Sequence, residues 1–318
     1  MALAATLKPD RQRVPLLLRL KAWWDGCDDV IHPREAVKAG GATPVRPALG
    51  EYDPKRPWET PRVLLAQMLW GAGFSQPGGA DEAIKLAKPF ALDPAMTVID
   101  LAAGLGGGAR AVVEQFGVWV SGYEADPEYA AAGMELSAQA GLGKKAEISL
   151  SLPDDLEIRT NSVDCVMCRE LLHKVADMAR LLHVVEQALK PSGQLVLTDY
   201  MLSEPGRADR AAVTAWRQST GNTAELWSLD RYTLALGAEK MDVRVTEDIT
   251  AAARRMTLGA WAELTRTLAG ATLAPPLAQC MVDELERCMR LVAAIDSGDL
   301  KLFRIYALKT GSKTLSDW

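Results

Sequence analysis

Several features that would fix the class of a 318-residue chain are missing. A basic excess is absent: 36 Lys and Arg against 41 Asp and Glu give a formal charge of −5, which offers no electrostatic footprint for nucleic acid. Cysteine is sparse, with five residues and none of the close spacing of a disulfide framework, so a reducing, cytoplasmic setting is expected. No window approaches the roughly 20 apolar residues of a membrane span. The opening "MALAATLKPDRQRVPLLLRLKAWW" has only a short apolar run, broken at Pro15 and Arg19, without the pattern of a secretory signal. Its amphipathic "LLLRLKAWW" is expected to dock on its own domain, with no stable membrane insertion. Internal repeats and low-complexity tracts are absent too.

What is present is the composition of a globular protein, 48% hydrophobic and 24% charged. Residues 1–60, which end in the Pro- and Gly-rich "GGATPVRPALGEYDPKRPWETP", read as an N-terminal cap segment. Residues 61–318 read as one domain with helical insertions at about 203–235 and 250–298. Within it, helical "RVLLAQMLW", the loop "GAGFSQPGG" and helical "ADEAIKLAKPFAL" lead into an alternation of strand and helix. "MTVIDLA", "VWVSGYEA", "SVDCVMCRE" and "SGQLVLTDYM" are the strands, and Pro127 opens one of the helices between them. "MDVRVTEDI", a long helical section Thr250–Ile295 and "LKLFRIYALK" follow. The alternation predicts an α/β fold with a mostly parallel sheet, and ligands bind at the carboxyl ends of such strands.

The motif that carries chemistry is "VIDLAAGLGGGAR", a strand running into a glycine-rich helix start. It is not a phosphate loop, because Gly-Gly-Ala-Arg stands where Gly-Lys-Ser/Thr is needed. Gly104, Gly106 and Ala109 satisfy the dinucleotide pattern G-x-G-x-x-G/A, with Glu124 20 residues past Gly104, so spacing alone keeps an NAD reading open.

Asp100 at the strand end, the glycine loop, Glu124 and the late "LKPSGQLVLTDY" occur in an order that resembles the class I S-adenosylmethionine (SAM) dependent methyltransferases. The resemblance implies a Rossmann-like sheet, mostly parallel with its last strand antiparallel, carrying a helical N-terminal cap and a C-terminal helical insertion. It implies SAM as cofactor, held by Asp100, Ala102, Gly104, Gly106, Glu124, Ala125 and Arg169, with Asp154 or Asp155 on the adenine. Glu124 takes the ribose hydroxyls. "LWGAGFSQPGG", "DLAAGLGGGAR", "CRELLHKV" and "LTDY" together resemble, more narrowly, the phosphoethanolamine N-methyltransferase family. On that likeness His173 is the general base, Glu170 stands near it in place of the family's Asp, and Tyr200 lines the substrate pocket. The chain departs where the family has a tyrosine partnering the histidine: an ungapped alignment puts Trp58 there, with Tyr52 the other candidate. It departs again at Asn222 and Ala224, near the family's phosphate-binding arginine and tyrosine.

The resulting expectation is methyl transfer to a small molecule, foremost at an amine nitrogen, by direct in-line displacement. Transfer to oxygen, sulfur or carbon, and SAM binding without catalysis, are the alternatives. No metal is expected, and homo-oligomerisation stays open. Histidine is scarce: His183 falls on a covering helix and His32 in the cap, which leaves His173, after a strand, as the one in position to exchange a proton near neutral pH. Cys165 and Cys168 form a C-x-x-C, but in a strand positions i and i+3 face opposite ways, so core packing is expected. Trp58, Trp70, Phe74, Trp216, Trp227 and Trp261 suit either core packing or attraction of a methylated ammonium.

Overall fold

The computed structural model describes residues 49, 50, 53 and 55–310. Most of the expected cap, including Tyr52, His32 and "LLLRLKAWW", lies outside the described residues.

Seven strands form one sheet in the order β3-β2-β1-β4-β5-β7-β6. They are β1 (Thr97–Asp100), β2 (Trp119–Glu124), β3 (Ala146–Leu150), β4 (Val163–Arg169), β5 (Leu189–Leu202), β6 (Met241–Asp248) and β7 (Leu300–Lys309). β7 runs antiparallel to both of its neighbours, while the pairs from β3 to β5 are parallel. A dinucleotide fold keeps the order 3-2-1-4-5-6 with no returning strand, so β7 sets this sheet apart from the fold that an NAD reading requires.

Helices α1 (Pro61–Trp70), α2 (Gly79–Ala87), α3 (Gly107–Phe116), α4 (Pro127–Gln139) and α5 (Met178–Ala188) precede or link the parallel strands. α6 (Ala211–Thr220) and α7 (Leu229–Ala238) stand between β5 and β6, and α8 (Thr250–Thr267) and α9 (Pro275–Asp296) between β6 and β7. The helical section expected as continuous from Thr250 breaks at residues 268–274, where Gly270 is left-handed (φ +77°) and Pro275 starts the next helix.

Both faces of the sheet are covered, which is why its strands read as unbroken apolar runs. Ile99, Val166, Cys168, Leu197 and Ile305 pack on one face with α5 and α7, and Val98, Val120, Cys165, Met167 and Val196 on the other with α2 and α3. Cys165 and Cys168 thus belong to opposite cores, as their spacing dictates. β3, absent from the expected strands, has only Ala146 and Ile148 buried, too short an apolar alternation to stand out. The expected strand "SGQLVLTDYM" begins earlier, at Leu189, with a bulge inside β5 where Ser192 is left-handed (φ +64°).

α4 starts as its sequence suggests. Pro127 holds the first helical position, and the Asp126 carboxylate accepts N–H bonds from Glu128 and Tyr129. Arg62 on α1 reaches the same carboxylate at 2.6 Å. Burial alone would push Asp126 up; Arg62 and the capped N–H groups hold it below the ordinary carboxylate value.

Candidate active site

The site lies at the carboxyl ends of β1, β2, β4 and β5 and has two parts. The first surrounds the glycine loop. Gly104 is left-handed (φ +55°), and a Cβ there would lie 2.0 Å from Ser75 Oγ. At Gly107 a Cβ would come within 2.4 Å of the Gly73 carbonyl oxygen and 2.6 Å of the Phe74 ring. The close neighbour that these glycines admit is therefore the chain's own segment between α1 and α2. Leu105 N–H donates to Ser75 Oγ (3.1 Å), and Gln76 Nε2 donates to Ala102 O (2.9 Å). Buried Arg110 joins the parts: its guanidinium donates to Leu105 O (2.9 Å), Gly73 O (2.9 Å) and Ser137 Oγ (3.1 Å). Ser75, Gln76 and Arg110 were not among the expected site residues. The repeated glycines of "GAGFSQPGG", beside those of "GLGGGAR", were the available signal of a close approach between two loops.

Asp100 is fully buried at the end of β1. Burial pushes its carboxyl group up, and nearby Arg169 together with the Ala102 N–H bond pulls it back. Three buried side-chain atoms around this loop have no hydrogen-bond partner among the described residues: Asp100 Oδ2, Gln76 Oε1 and Arg169 Nε. The fourth such atom, Arg217 Nε, lies on α6. Arg169 also crowds the helix start, since a Cβ at Gly108 would lie 2.4 Å from one of its terminal nitrogens.

Glu124 closes β2 and grips the loop, accepting from Gly104 N–H (2.7 Å) and Asp126 N–H (2.8 Å). Burial raises its carboxyl group above the usual value, and these two bonds oppose the rise. Ala102 and Ala125 are half-buried beside it in sequence, while Gly106 is left-handed (φ +72°) and caps α3. Asp154 and Asp155 are both exposed in a tight turn after β3. Asp154 accepts the N–H of Asp177 at the start of α5 (3.2 Å), and nothing in the geometry selects either aspartate.

The second part surrounds His173, only 2% exposed in the turn Leu172–Lys174 after β4. Its Nδ1 meets Asp199 Oδ1, and its backbone N–H donates to Asp199 Oδ2 (2.7 Å). Tyr232 Oη on α7 donates to the same oxygen (2.5 Å), and Tyr200 N–H donates to Oδ1 (3.0 Å). The imidazole sits between the rings of Tyr200 and Trp216, at centroid distances of 5.4 and 5.5 Å. Asn222 Nδ2 donates to His173 O (2.7 Å), and its Oδ1 accepts Ala224 N–H (2.9 Å).

Glu170 is near as well. It is left-handed (φ +54°), a conformation that costs a non-glycine residue roughly 1–2 kcal/mol. Burial pushes its carboxyl group up, and Lys174, His173 and Arg169 pull it down. The phenol of Tyr200 is raised far above its ordinary value by burial and by the adjoining Glu170. The structure thus brings Glu170, His173 and Tyr200 together and adds Asp199 and Tyr232, which were not expected. Trp58 is not part of this group: it packs against the cluster of Val63, Ala66, Leu105 and Ala132, and its carbonyl accepts from Gln67. His183 is exposed on α5, where it pairs with Glu239.

The chain's likeness to known proteins agrees with this geometry. Residues 99–197, the stretch from the glycine-loop strand to the middle of β5, match the sequence family described as methyltransferase domain. Over these residues the chain is similar to methyltransferase domains, and its seven-stranded sheet has the class I methyltransferase fold. Phosphoethanolamine N-methyltransferase 2 of Caenorhabditis elegans is 33% identical over 137 residues, which cover 42% of this chain and 31% of that protein. The match therefore spans under a third of the relative's length. Among solved structures, phosphoethanolamine N-methyltransferase 2 of Haemonchus contortus in complex with SAM superposes with a TM-score of 0.67 at 19% identity, over 80% of this chain and 59% of that one. A putative sarcosine dimethylglycine methyltransferase from Galdieria sulphuraria gives 0.61 at 19% identity, over 72% and 86%. At such identities the superpositions establish the fold of the methyltransferase domain. Among the described residues, no helix is long and apolar enough to cross a membrane.

Proposed function

We propose that the chain is a SAM-dependent methyltransferase that modifies a small molecule at an amine nitrogen, by direct in-line displacement, with His173 as the general base. The cofactor assignment rests on the three atoms at the glycine loop that have no partner among the described residues. Two acceptors, Asp100 Oδ2 and Gln76 Oε1, and one donor, Arg169 Nε, suit an ammonium and a carboxylate, the two charged groups at the methionine end of SAM. Glu124 suits the ribose hydroxyls, because each of its oxygens already holds one N–H and keeps accepting capacity.

Bound SAM supplies a methyl group activated by its sulfonium. The chain's residues have to hold the acceptor lone pair in line and exclude water, an orientation effect worth about 7–11 kcal/mol in favourable cases. An acceptor that arrives as an ammonium must also lose a proton before it can attack. The observation that carries the reading is the placement of His173: a buried imidazole at the carboxyl end of the sheet, held against two aromatic rings and a carboxylate. Nitrogen as the acceptor is supported by the names of the relatives, N-methyltransferases of phosphoethanolamine and of glycine, sarcosine and dimethylglycine. Phosphate recognition draws less support, since Asn222 is engaged with the chain's own backbone and Arg217 Nη2 with the carbonyls of Thr223 and Ala224.

Calorimetric titration with SAM, S-adenosylhomocysteine and NADH tests the cofactor: the first two are expected to bind, and binding of NADH alone refutes the assignment. Turnover on amines, phenols, thiols and phosphorylated amines tests the acceptor, with amines expected to react fastest.

A further inference from the structure

Asp199 has a carboxylate with two oxygens and about four acceptor positions. Four donors occupy them: His173 N–H and Tyr232 O–H on Oδ2, and His173 Nδ1 and Tyr200 N–H on Oδ1. The side chain is fully buried, so no position remains for solvent or an acceptor molecule. A carboxylate can only accept, and two of its partners are backbone N–H groups that can only donate, so the imidazole nitrogen that faces it has to donate as well.

We infer that Asp199, clamped by Tyr232, is the positioning residue that fixes His173 as its Nδ1–H tautomer and leaves Nε2 as the atom that takes the acceptor's proton. The inference rests on the reading of His173 as base. Asp199 acts only through His173: the proton passes from the acceptor nitrogen to Nε2, the nitrogen lone pair forms the new C–N bond, and the methyl–sulfur bond breaks with its electrons left on sulfur. Asp199 steadies the imidazolium that results. Tyr232 belongs to α7, beyond the matched residues 99–197, so the clamp joins the helices after β5 to the catalytic turn after β4.

Nitrogen-15 NMR of the imidazoles tests this without turnover. The chain has three histidines, and H32Q and H183Q variants assign the third signal to His173. The unaltered protein is expected to show a protonated Nδ1 and a bare Nε2; the opposite tautomer overturns the inference. In D199N the carboxamide can donate to Nδ1, so Nε2 is expected to become protonated; an unchanged ring signal again overturns it. Turnover of D199N should fall by about 10²–10⁴-fold, the range for losing a positioned base. KM should stay within about twofold. Y232F keeps its ring in the core and leaves the Asp199 carboxylate in place, so the ring is expected to stay Nδ1–H and turnover to fall less than in D199N; a bare Nδ1 in Y232F overturns the inference. If D199N switches the tautomer while turnover stays intact, the base reading fails and the positioning of the ring stands.

Discussion

Around the glycine loop three buried polar atoms have no partner among the described residues, whereas around His173 each oxygen of Asp199 holds two donors. An unsatisfied buried group costs roughly 1–3 kcal/mol, so the loop carries a standing cost that a bound ligand can relieve. The turn after β4 is already satisfied and holds one side chain still. The contrast teaches how the work divides on the proposed reading: one region is unfinished in the way a binding site is, and the other is finished in the way a support for a catalytic group must be.

Four substitutions break or sharpen that contrast, from the largest expected effect to the smallest. His173→Ala should lower turnover about 10²–10⁴-fold and leave calorimetric SAM affinity nearly unchanged. Equal losses in both would erase the distinction between the regions. Asp100→Asn acts on the other region: loss of a hydrogen bond to a charged group, about 1.5–3 kcal/mol, should weaken SAM roughly 10- to 100-fold while turnover at saturation changes less. Gly107→Ala puts a methyl against the Gly73 carbonyl, and such overpacking should cost about 1–3 kcal/mol, read from denaturant unfolding, together with weaker SAM binding.

Asp126→Ala leaves in place the backbone N–H that Glu124 accepts, and removes an N-cap. It should cost about 1 kcal/mol of stability, with binding and turnover held. Its pH dependence has a definite sign. Because the folded protein holds Asp126 below the ordinary carboxylate value, its contribution is present above that value and is lost as pH falls through the depressed one. The stability difference between the native protein and Asp126→Asn should therefore shrink in acid below about pH 4. A difference that grows in acid contradicts the ion pair with Arg62.

Much of the fold was legible because burial on both faces leaves a local trace. "TVID" and "VDCVMCR" are apolar runs that only a covered parallel sheet explains, and Pro127 after Asp126 marks a helix start without any tertiary information. β3 left no such trace, since two buried side chains in five residues make no pattern. In the site, Glu170 was legible as a neighbour of His173 because the two are close in sequence. Asp199 was harder, standing 26 residues away and reaching the histidine only through the pairing of β4 with β5. Its signal was present all the same: an ionisable residue inside "GQLVLTDYML" is an anomaly in a strand otherwise buried. Tyr232, on a helix whose docking no local pattern specifies, left no sequence signal. The glycine loop adds what spacing did not tell: a side chain at Gly104 would meet the chain's own Ser75, and one at Gly107 would meet Gly73 and Phe74.

The returning strand β7 has a consequence for how such a protein can diversify. Because β7 threads back between β5 and β6, each helical pair, α6–α7 and α8–α9, leaves the sheet from one strand and re-enters it at another without disturbing the register of β1, β2 and β4. Residues 203–240 and 249–299 are in this sense insertions whose length is free of the sheet's register, although each is tied to the site's surroundings, the first through Tyr232 and the second by packing on α1.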